Sequence, residues 1–196
     1  MVAGLTRLAP IRRQVKPSSN VGATVADIPP LQIRRLETPD AAIYMALRLE
    51  ALQRNPEAFG STFERENAQP LSWFEASLGR AAIFGGFLDG TLAGMAGFGT
   101  QEGSKRAHKA LLWGMYVRAA ARSAGVGKRL VASVLDHARG RAELVQLTVV
   151  SENEAARRLY RAMGFVEYGY ETKSLKQDGR YYDEVLMVKF LDEGLS

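Results

Sequence analysis

A strand that runs through a glycine-bearing turn into a helix dominates the middle of the sequence. Lys109–Val117 is an apolar, strand-like run, and residues 122–127 (Arg-Ser-Ala-Gly-Val-Gly) follow shortly after it. The segment beyond the glycines then places apolar residues on one side of a helix: Leu130, Val131, Val134, Leu135 and Ala138. This succession predicts a fold in which helices pack on a sheet.

The rest of the chain from residue 31 supplies further strands and helices. Strand patterns cover residues 32–36, 81–88, 92–99, 144–150, 165–175 and 181–190, with Asp-Gly turns at 89–90 and 178–179 that are typical of hairpins. One helix is expected to bury Ile43, Leu47 and Ala51, and a second is expected to open with a capping box at Ser72. The predicted order is strand, two helices, three strands, helix, strand, helix and two strands, which is a mixed α/β layout.

Residues 1–30 are predicted to be a flexible arm, and residues 31–196 a single domain. Prolines interrupt the first segment, which carries four basic residues and one acidic residue, whereas the rest is nearly balanced within a net charge of +5. Because the excess charge lies partly in the arm, the sequence does not favour a nucleic-acid partner for the domain. With no export signal, no membrane-length apolar run and no cysteine, we expect a cytoplasmic protein without a membrane partner.

The absence of cysteine also limits the chemistry. Disulfides, cysteine-based metal sites and a thiol nucleophile are excluded. The two histidines, His108 and His137, are too few for a histidine-based metal cluster, and no carboxylate spacing suggests a magnesium or calcium site. We therefore expect no metal.

The glycine turn has the features of an anion seat. The amino end of a helix offers unpaired N–H groups and a positive dipole end, and glycine lets a ligand approach the backbone. Lys128 and Arg129 add positive charge where a helix would otherwise favour acidic residues. The turn matches neither a Walker-type phosphate loop nor a Gly-x-Gly-x-x-Gly motif. On this evidence alone, a plain turn between strand and helix is the better interpretation.

A second motif favours the interpretation of the turn as an anion seat. Residues 153–165 read Asn-Glu-Ala-Ala-Arg-Arg-Leu-Tyr-Arg-Ala-Met-Gly-Phe, and this run is similar to the second signature of the GNAT N-acetyltransferases. The Arg-x-x-Gly-x-Gly of residues 122–127 resembles the pyrophosphate loop of the same family. The resemblance covers about residues 31–190. It implies a central, mostly antiparallel, twisted sheet of about seven strands, splayed between strands 4 and 5 and flanked by about four helices.

The resemblance also implies an activity and a set of site residues. The activity is transfer of an acetyl group from acetyl-CoA to a primary amine, by direct attack in a ternary complex. Tyr160 would be the general acid for the leaving thiolate. The main chain of the fourth predicted strand, Lys109–Val117, would pair with the pantetheine arm of acetyl-CoA, and the glycine turn would hold its pyrophosphate. The implied cofactor-binding residues are Met115, Tyr116, Val117, Arg122, Ser123, Ala124, Gly125, Val126, Gly127, Lys128 and Asn153.

Two of these assignments have alternatives. Asn153 is nearly as well explained as a helix cap, a role that Ser151 could also fill, and Tyr160 could be a core aromatic residue.

The sequence departs from the family pattern at two places. Many family members carry a proline just after the fourth strand, where this chain has Arg118 or Ala119, and a glycine directly after the arginine, where it has Ser123. Neither change removes an N–H donor, so cofactor binding should survive.

The acceptor side is less defined. The fourth strand contains no acidic residue, so the general base stays unassigned among Glu50, Glu64, Glu66, Asp183 and a water relay. Aromatic residues near the first two helices could line the acceptor site or cover the sheet: Phe59, Phe63 and Trp73, of which Trp73 favours the core. The acceptor could be a small-molecule amine or an amine of a protein or peptide. The sequence also leaves the oligomeric state undecided, with a homodimer as one option. The alternative function is a non-catalytic module that senses acyl-CoA.

Overall fold

A computed structural model describes residues 31–191 of the chain. The arm predicted for residues 1–30 and the last five residues lie outside this range. The strands are β1 (Gln32–Arg35), β2 (Ala82–Leu88), β3 (Thr91–Thr100), β4 (Lys109–Val117), β5 (Leu144–Val150), β6 (Val166–Gln177) and β7 (Arg180–Phe190). The α-helices are α1 (Ala41–Arg54), α2 (Phe63–Asn67), α3 (Leu71–Arg80), α4 (Val126–Ala138) and α5 (Glu154–Ala162).

The seven strands form one sheet in the order β1-β2-β3-β4-β5-β7-β6. Every neighbouring pair is antiparallel except β4 and β5, which run parallel. At both predicted hairpins the Asp and Gly residues adopt positive φ, with values of 48° and 73° at residues 89–90 and 50° and 81° at residues 178–179. That geometry matches the twist of the flanking strands. The mixed α/β class and the mostly antiparallel seven-stranded sheet are confirmed.

Apolar side chains form a separate core on each face of the sheet. Helices α4 and α5 cover one face, where the fully buried Val126, Leu130 and Val134 meet Val145 and Met187. Helices α1 and α3 cover the other face, and the members of that core include Leu47, Phe74, Ile83 and Met95. The two layers therefore hold the middle of the sheet rigidly from both sides.

Two local expectations for the first helices were wrong. Ile43 is 43% exposed, and Tyr44 takes the buried place beside Leu47 and Ala51, because the side of α1 that meets the sheet lies one residue further along. Ser72 does not cap α3, which begins at Leu71 directly after Pro70 and has no side-chain cap. The short helix α2 was not anticipated from the sequence. No helix within residues 31–191 has the length and apolar character to cross a membrane.

The parallel pair at the centre of the sheet separates along its length. Strands β4 and β5 pair only from Lys109 to Leu111 and from Leu144 to Gln146. Beyond these residues each strand continues for several positions, to Val117 and Val150, without further pairing to the other. The expected splay between strands 4 and 5 is thus confirmed, and it leaves an opening inside the sheet.

Candidate active site

A bulge in β4 faces the opening. Tyr116 pairs with Met95 and Trp113 with Gly97, so Gly114 and Met115 together oppose the single residue between them on β3. Gly114 has φ +62°, a value that a residue with a side chain rarely adopts. The extra residue reverses the alternation of side chains along β4. As a result Trp113 and Tyr116 both pack against the α1/α3 core, whereas Met115 and Val117 pack against the α4/α5 core.

The glycine turn lies at the end of this strand. A 3₁₀ turn, Ala119–Ala124, connects β4 to Gly125, whose φ is +76° and which occupies the cap position of α4. No side chain caps the helix, and its first turn contains no acidic residue. The N–H of Arg129 bonds to the carbonyl oxygen of Gly125, so the N–H groups of residues 126–128 precede the first intrahelical bond. These N–H groups and the positive dipole end favour an anion at this point.

Arg122 is fixed beside the same turn. Its Nε donates a 3.1 Å hydrogen bond to the carbonyl oxygen of Val117. This bond ties the 3₁₀ turn to the end of β4 and leaves the remaining guanidinium N–H groups available. Together with Lys128, Arg122 brings positive charge to the amino end of α4.

The splay and the glycine turn border one cavity of about 630 Å³. Nine of the twelve predicted site residues line it: Met115, Tyr116, Val117, Arg122, Gly125, Gly127, Lys128, Asn153 and Tyr160. The other three, Ser123, Ala124 and Val126, do not. Val126 is buried in the α4/α5 core, and Ser123 and Ala124 are exposed. The role predicted for these three depends on main-chain N–H groups and stays a prediction.

Tyr160 extends from α5 to the wall of this cavity. Its side chain is buried, and its ring meets Phe165 edge-on at a centroid distance of 5.8 Å. Burial raises the pKa of Tyr160 well above its ordinary value. The phenol therefore keeps its proton throughout the neutral range and can act as a hydrogen-bond donor.

Asn153 caps α5. Its side-chain oxygen accepts a 3.1 Å hydrogen bond from the N–H of Ala156, and Ser151 does not take the cap position. Since the cap uses the oxygen, only the NH₂ group of the side chain is left to donate to a ligand in the cavity. The predicted cofactor contact and the cap are therefore compatible, and the contact itself stays a prediction.

Most of the region that the structure describes matches a known family in sequence. Residues 46–165 match the family model for the acetyltransferase (GNAT) family. The chain belongs to this family. It is a GNAT-type N-acetyltransferase.

Individual GNAT proteins resemble the chain at moderate identity. The N-alpha-acetyltransferase RimI of Mycobacterium tuberculosis is 29% identical over 154 residues, which is 79% of this chain and 90% of the relative. An acetyltransferase of the GNAT family from Streptococcus pneumoniae superposes with a TM-score of 0.74 at 24% identity, covering 82% of this chain and 99% of its own. The structure of yncA from Salmonella typhimurium, solved with its cofactor acetyl-CoA, gives a TM-score of 0.71 at 24% identity and covers 85% and 96%.

None of the four carboxylates considered as a general base for this GNAT enzyme lines the cavity. Glu66 is buried in an ion pair with Arg48, whose Nε and Nη2 donate hydrogen bonds of 2.9 and 2.7 Å. Burial is the largest single influence and would raise the pKa of Glu66, but the hydrogen bonds and charge of Arg48, with smaller contributions from Ser61 and Arg65, together lower it. Glu64 is exposed on α2, and Asp183 accepts hydrogen bonds from the hydroxyl of Tyr170 and the N–H of Lys173.

Glu50, the fourth candidate, is neutralised by Arg118. The two side chains approach to 2.7 Å, and the hydroxyl of Tyr116 donates a 3.0 Å hydrogen bond to the same carboxylate. The hydrogen bond from Arg118 lowers the pKa of Glu50. A carboxylate with a lowered pKa holds a proton poorly, which argues against Glu50 as the base.

Glu50→Gln is expected to lower the free energy of unfolding by about 1 kcal/mol at neutral pH. The folded-state pKa of Glu50 lies below the ordinary 4.5, so its stabilising contribution is complete above that value and disappears as the pH falls through the folded-state pKa. Urea unfolding of both proteins at about pH 7 and about pH 3.5 measures the effect. We expect a smaller difference at the lower pH, and a difference that grows on acidification would contradict the assignment.

Three polar residues that line the cavity were missed by the sequence analysis: Asn55, Glu57 and Glu152. Of the aromatic residues proposed for the acceptor wall, Phe59 lines the cavity, whereas Phe63 and Trp73 do not. Trp73 packs edge-on against Phe74 at 4.9 Å, in agreement with the preferred core interpretation. Within residues 31–191, no three His, Asp or Glu side chains group as a metal site would require.

Proposed function

We propose that this enzyme transfers the acetyl group of acetyl-CoA to a primary amine by direct attack within a ternary complex. The observation that carries the proposal is the cavity, which joins the free edge of β4, the amino end of α4 and Tyr160. An anion seat, an unpaired strand edge and a proton donor are the three features that an acyl-CoA reaction needs. Here they border one space.

The residues of the cavity fit the shape and charge of acetyl-CoA. Arg122, Lys128 and the N–H groups at the amino end of α4 suit a pyrophosphate. Because β5 has already diverged, the edge of residues 115–117 that is turned away from β3 borders the opening instead of a partner strand. The amide groups of an extended pantetheine arm can pair with such an edge as an added strand does.

Tyr160 would act on the leaving group. A neutral amine attacks the thioester carbonyl carbon, the new C–N bond forms, and the C–S bond breaks with its electron pair passing to sulfur. The protonated phenol of Tyr160 donates to that sulfur as negative charge develops on it. The attacking nitrogen, which becomes cationic, releases one proton to water, and Tyr160 regains a proton from water after CoA leaves, so protons and charges balance.

The acceptor is proposed as a primary amine, and peptide amino termini are the first acceptors to test. The relative from M. tuberculosis is named as an N-alpha-acetyltransferase, and a second fold neighbour is a ribosomal-protein-alanine N-acetyltransferase from Brucella melitensis. A second candidate function is an acyl-CoA sensor. It is favoured by β4, which contains no acidic residue that could serve as a base.

Acetyl-CoA at about 100 times its Kd is expected to stabilise the protein by about 2.7 kcal/mol, which would raise Tm by about 5–10 °C. Thermal unfolding with and without acetyl-CoA measures this shift. The accompanying experiment follows CoA release with peptides, polyamines, amino acids and aminoglycosides as acceptors. An unchanged Tm would contradict the cofactor site. A raised Tm without acetylation of any acceptor would favour the sensor.

A further inference from the structure

A half-buried carboxylate borders the cavity on the side of the first helix. Glu57 lies in the 3₁₀ turn Pro56–Ala58, which follows α1 and precedes Phe59. Its Oε1 accepts a 3.4 Å hydrogen bond from the side-chain nitrogen of Asn55, which also lines the cavity. This bond leaves most of the acceptor capacity of the carboxylate free for a ligand.

Glu57 differs from the other charged groups around the cavity. Arg122 and Lys128 lie at the amino end of α4, where an anion is expected. Glu152 also lines the cavity, but it is neutralised by Arg180 at 2.7 Å. Glu57 forms no ion pair with any lysine or arginine of residues 31–191, which makes it the one uncompensated carboxylate among the described cavity residues.

Buried contacts hold the segment around Glu57 in place. The 3₁₀ turn lies against β5 and β6, so it is on the β5 side of the splayed strands. Phe59 packs under the guanidinium of Arg48 at 5.0 Å, and Arg48 is itself fixed by Glu66. The backbone that carries Glu57 is thus anchored, so a ligand does not have to order this segment when it binds.

We propose that Glu57 binds the ammonium group of a cationic amine acceptor and so determines the charge class of the acceptor. This inference rests on the proposed function. An ammonium group entering the cavity forms a charge-assisted hydrogen bond with Glu57, while the cations near α4 repel it from the pyrophosphate site. Where the bound nitrogen is also the one that reacts, it releases a proton to water before it attacks the thioester. The cavity therefore has an anionic acceptor end and a cationic cofactor end.

Glu57→Gln is the test, because glutamine keeps the shape and can still accept the hydrogen bond from Asn55. We expect the Kd of a cationic acceptor to rise about 10- to 100-fold, as for loss of a charged hydrogen bond. The Kd of acetyl-CoA should stay within about twofold. Glu57→Asp should retain part of the affinity, and Glu64→Gln, on the exposed surface of α2 and outside the cavity, is the matched control.

Acceptor affinity is measured by calorimetry on protein saturated with CoA, with spermidine, L-lysinamide and an alanine-initiated peptide as probes. This measurement needs no turnover, so failure of the proposed reaction and failure of the acceptor site give different results. If wild type binds none of the probes, or if Glu57→Gln binds them as wild type does, the inference is overturned. The inference is supported if Glu57→Gln binds the probes more weakly than wild type does and Glu64→Gln binds them as tightly as wild type.

Discussion

Replacing Tyr160 by phenylalanine is expected to lower kcat by about 10²- to 10⁴-fold, the usual contribution of a general acid. The affinity for acetyl-CoA should stay nearly unchanged. Phenylalanine preserves the ring that packs edge-on against Phe165, so the variant removes only the hydroxyl group. Steady-state kinetics with the best acceptor, together with the Kd of acetyl-CoA, separate the chemical step from binding.

Tyr44→Phe provides the matched control. Tyr44 is also buried, and burial raises its pKa to about 12, but it lies in the α1/α3 core and does not line the cavity. Its replacement should leave kcat within about twofold. Equal losses in the two variants would show that removal of a buried hydroxyl disturbs the fold, and would remove the case for Tyr160 as the acid.

The raised pKa of Tyr160 also predicts a pH profile. Since burial keeps the phenol protonated beyond its ordinary range, ionisation of Tyr160 should not reduce kcat of the wild type at or below about pH 10. A loss of activity near pH 8 that Tyr160→Phe abolishes would contradict this assignment.

Gly125→Val is expected to raise the Kd of acetyl-CoA by at least about 100-fold. Gly125 adopts φ +76° at the cap of α4, where valine costs about 1–2 kcal/mol or more in backbone strain. A Cβ at this position would meet no protein atom within 4 Å, so the side chain would project into space beside the anion seat. Turning the backbone to relieve the strain would redirect the N–H groups that the pyrophosphate is proposed to use.

Gly140→Val separates strain from function. Gly140 has φ +70°, and a Cβ there also meets no protein atom within 4 Å, but the residue lies after the other end of α4, outside the cavity. Both variants should lose similar stability in thermal unfolding, whereas only Gly125→Val should lose cofactor affinity in calorimetry. Comparable affinities in the two variants would count against the turn as the pyrophosphate site.

The elements with strong local signals were predictable from the sequence. The bounds of β4 and β5 agree with their apolar runs, and the Asp-Gly pairs at residues 89–90 and 178–179 define hairpins through their own backbone preference. The glycine turn and the motif of residues 153–165 were visible because each is a continuous segment. Most residues predicted for the cofactor line the cavity because they come from those two segments and from β4.

The acceptor side was not predictable in the same way. Whether a carboxylate is free or neutralised depends on a partner distant in sequence: Arg118 for Glu50, Arg48 for Glu66 and Arg180 for Glu152. Glu57 lies within the stretch of about residues 31–190 covered by the resemblance, but outside its two motifs, and nothing local distinguished it from surface acids. The bulge at Gly114 is also a matter of register between two strands, and no single-strand pattern reveals it.

The separation of β4 from β5 gives the sheet two internal strand edges in addition to its two outer edges. Outer edges can pair with strands of other chains and so promote aggregation. The internal edges are protected from such pairing, because three residue pairs hold β4 and β5 together at one end and packed helices cover both faces. The enzyme can thus keep part of a strand edge without a partner strand inside the sheet, where strands of other molecules do not reach it.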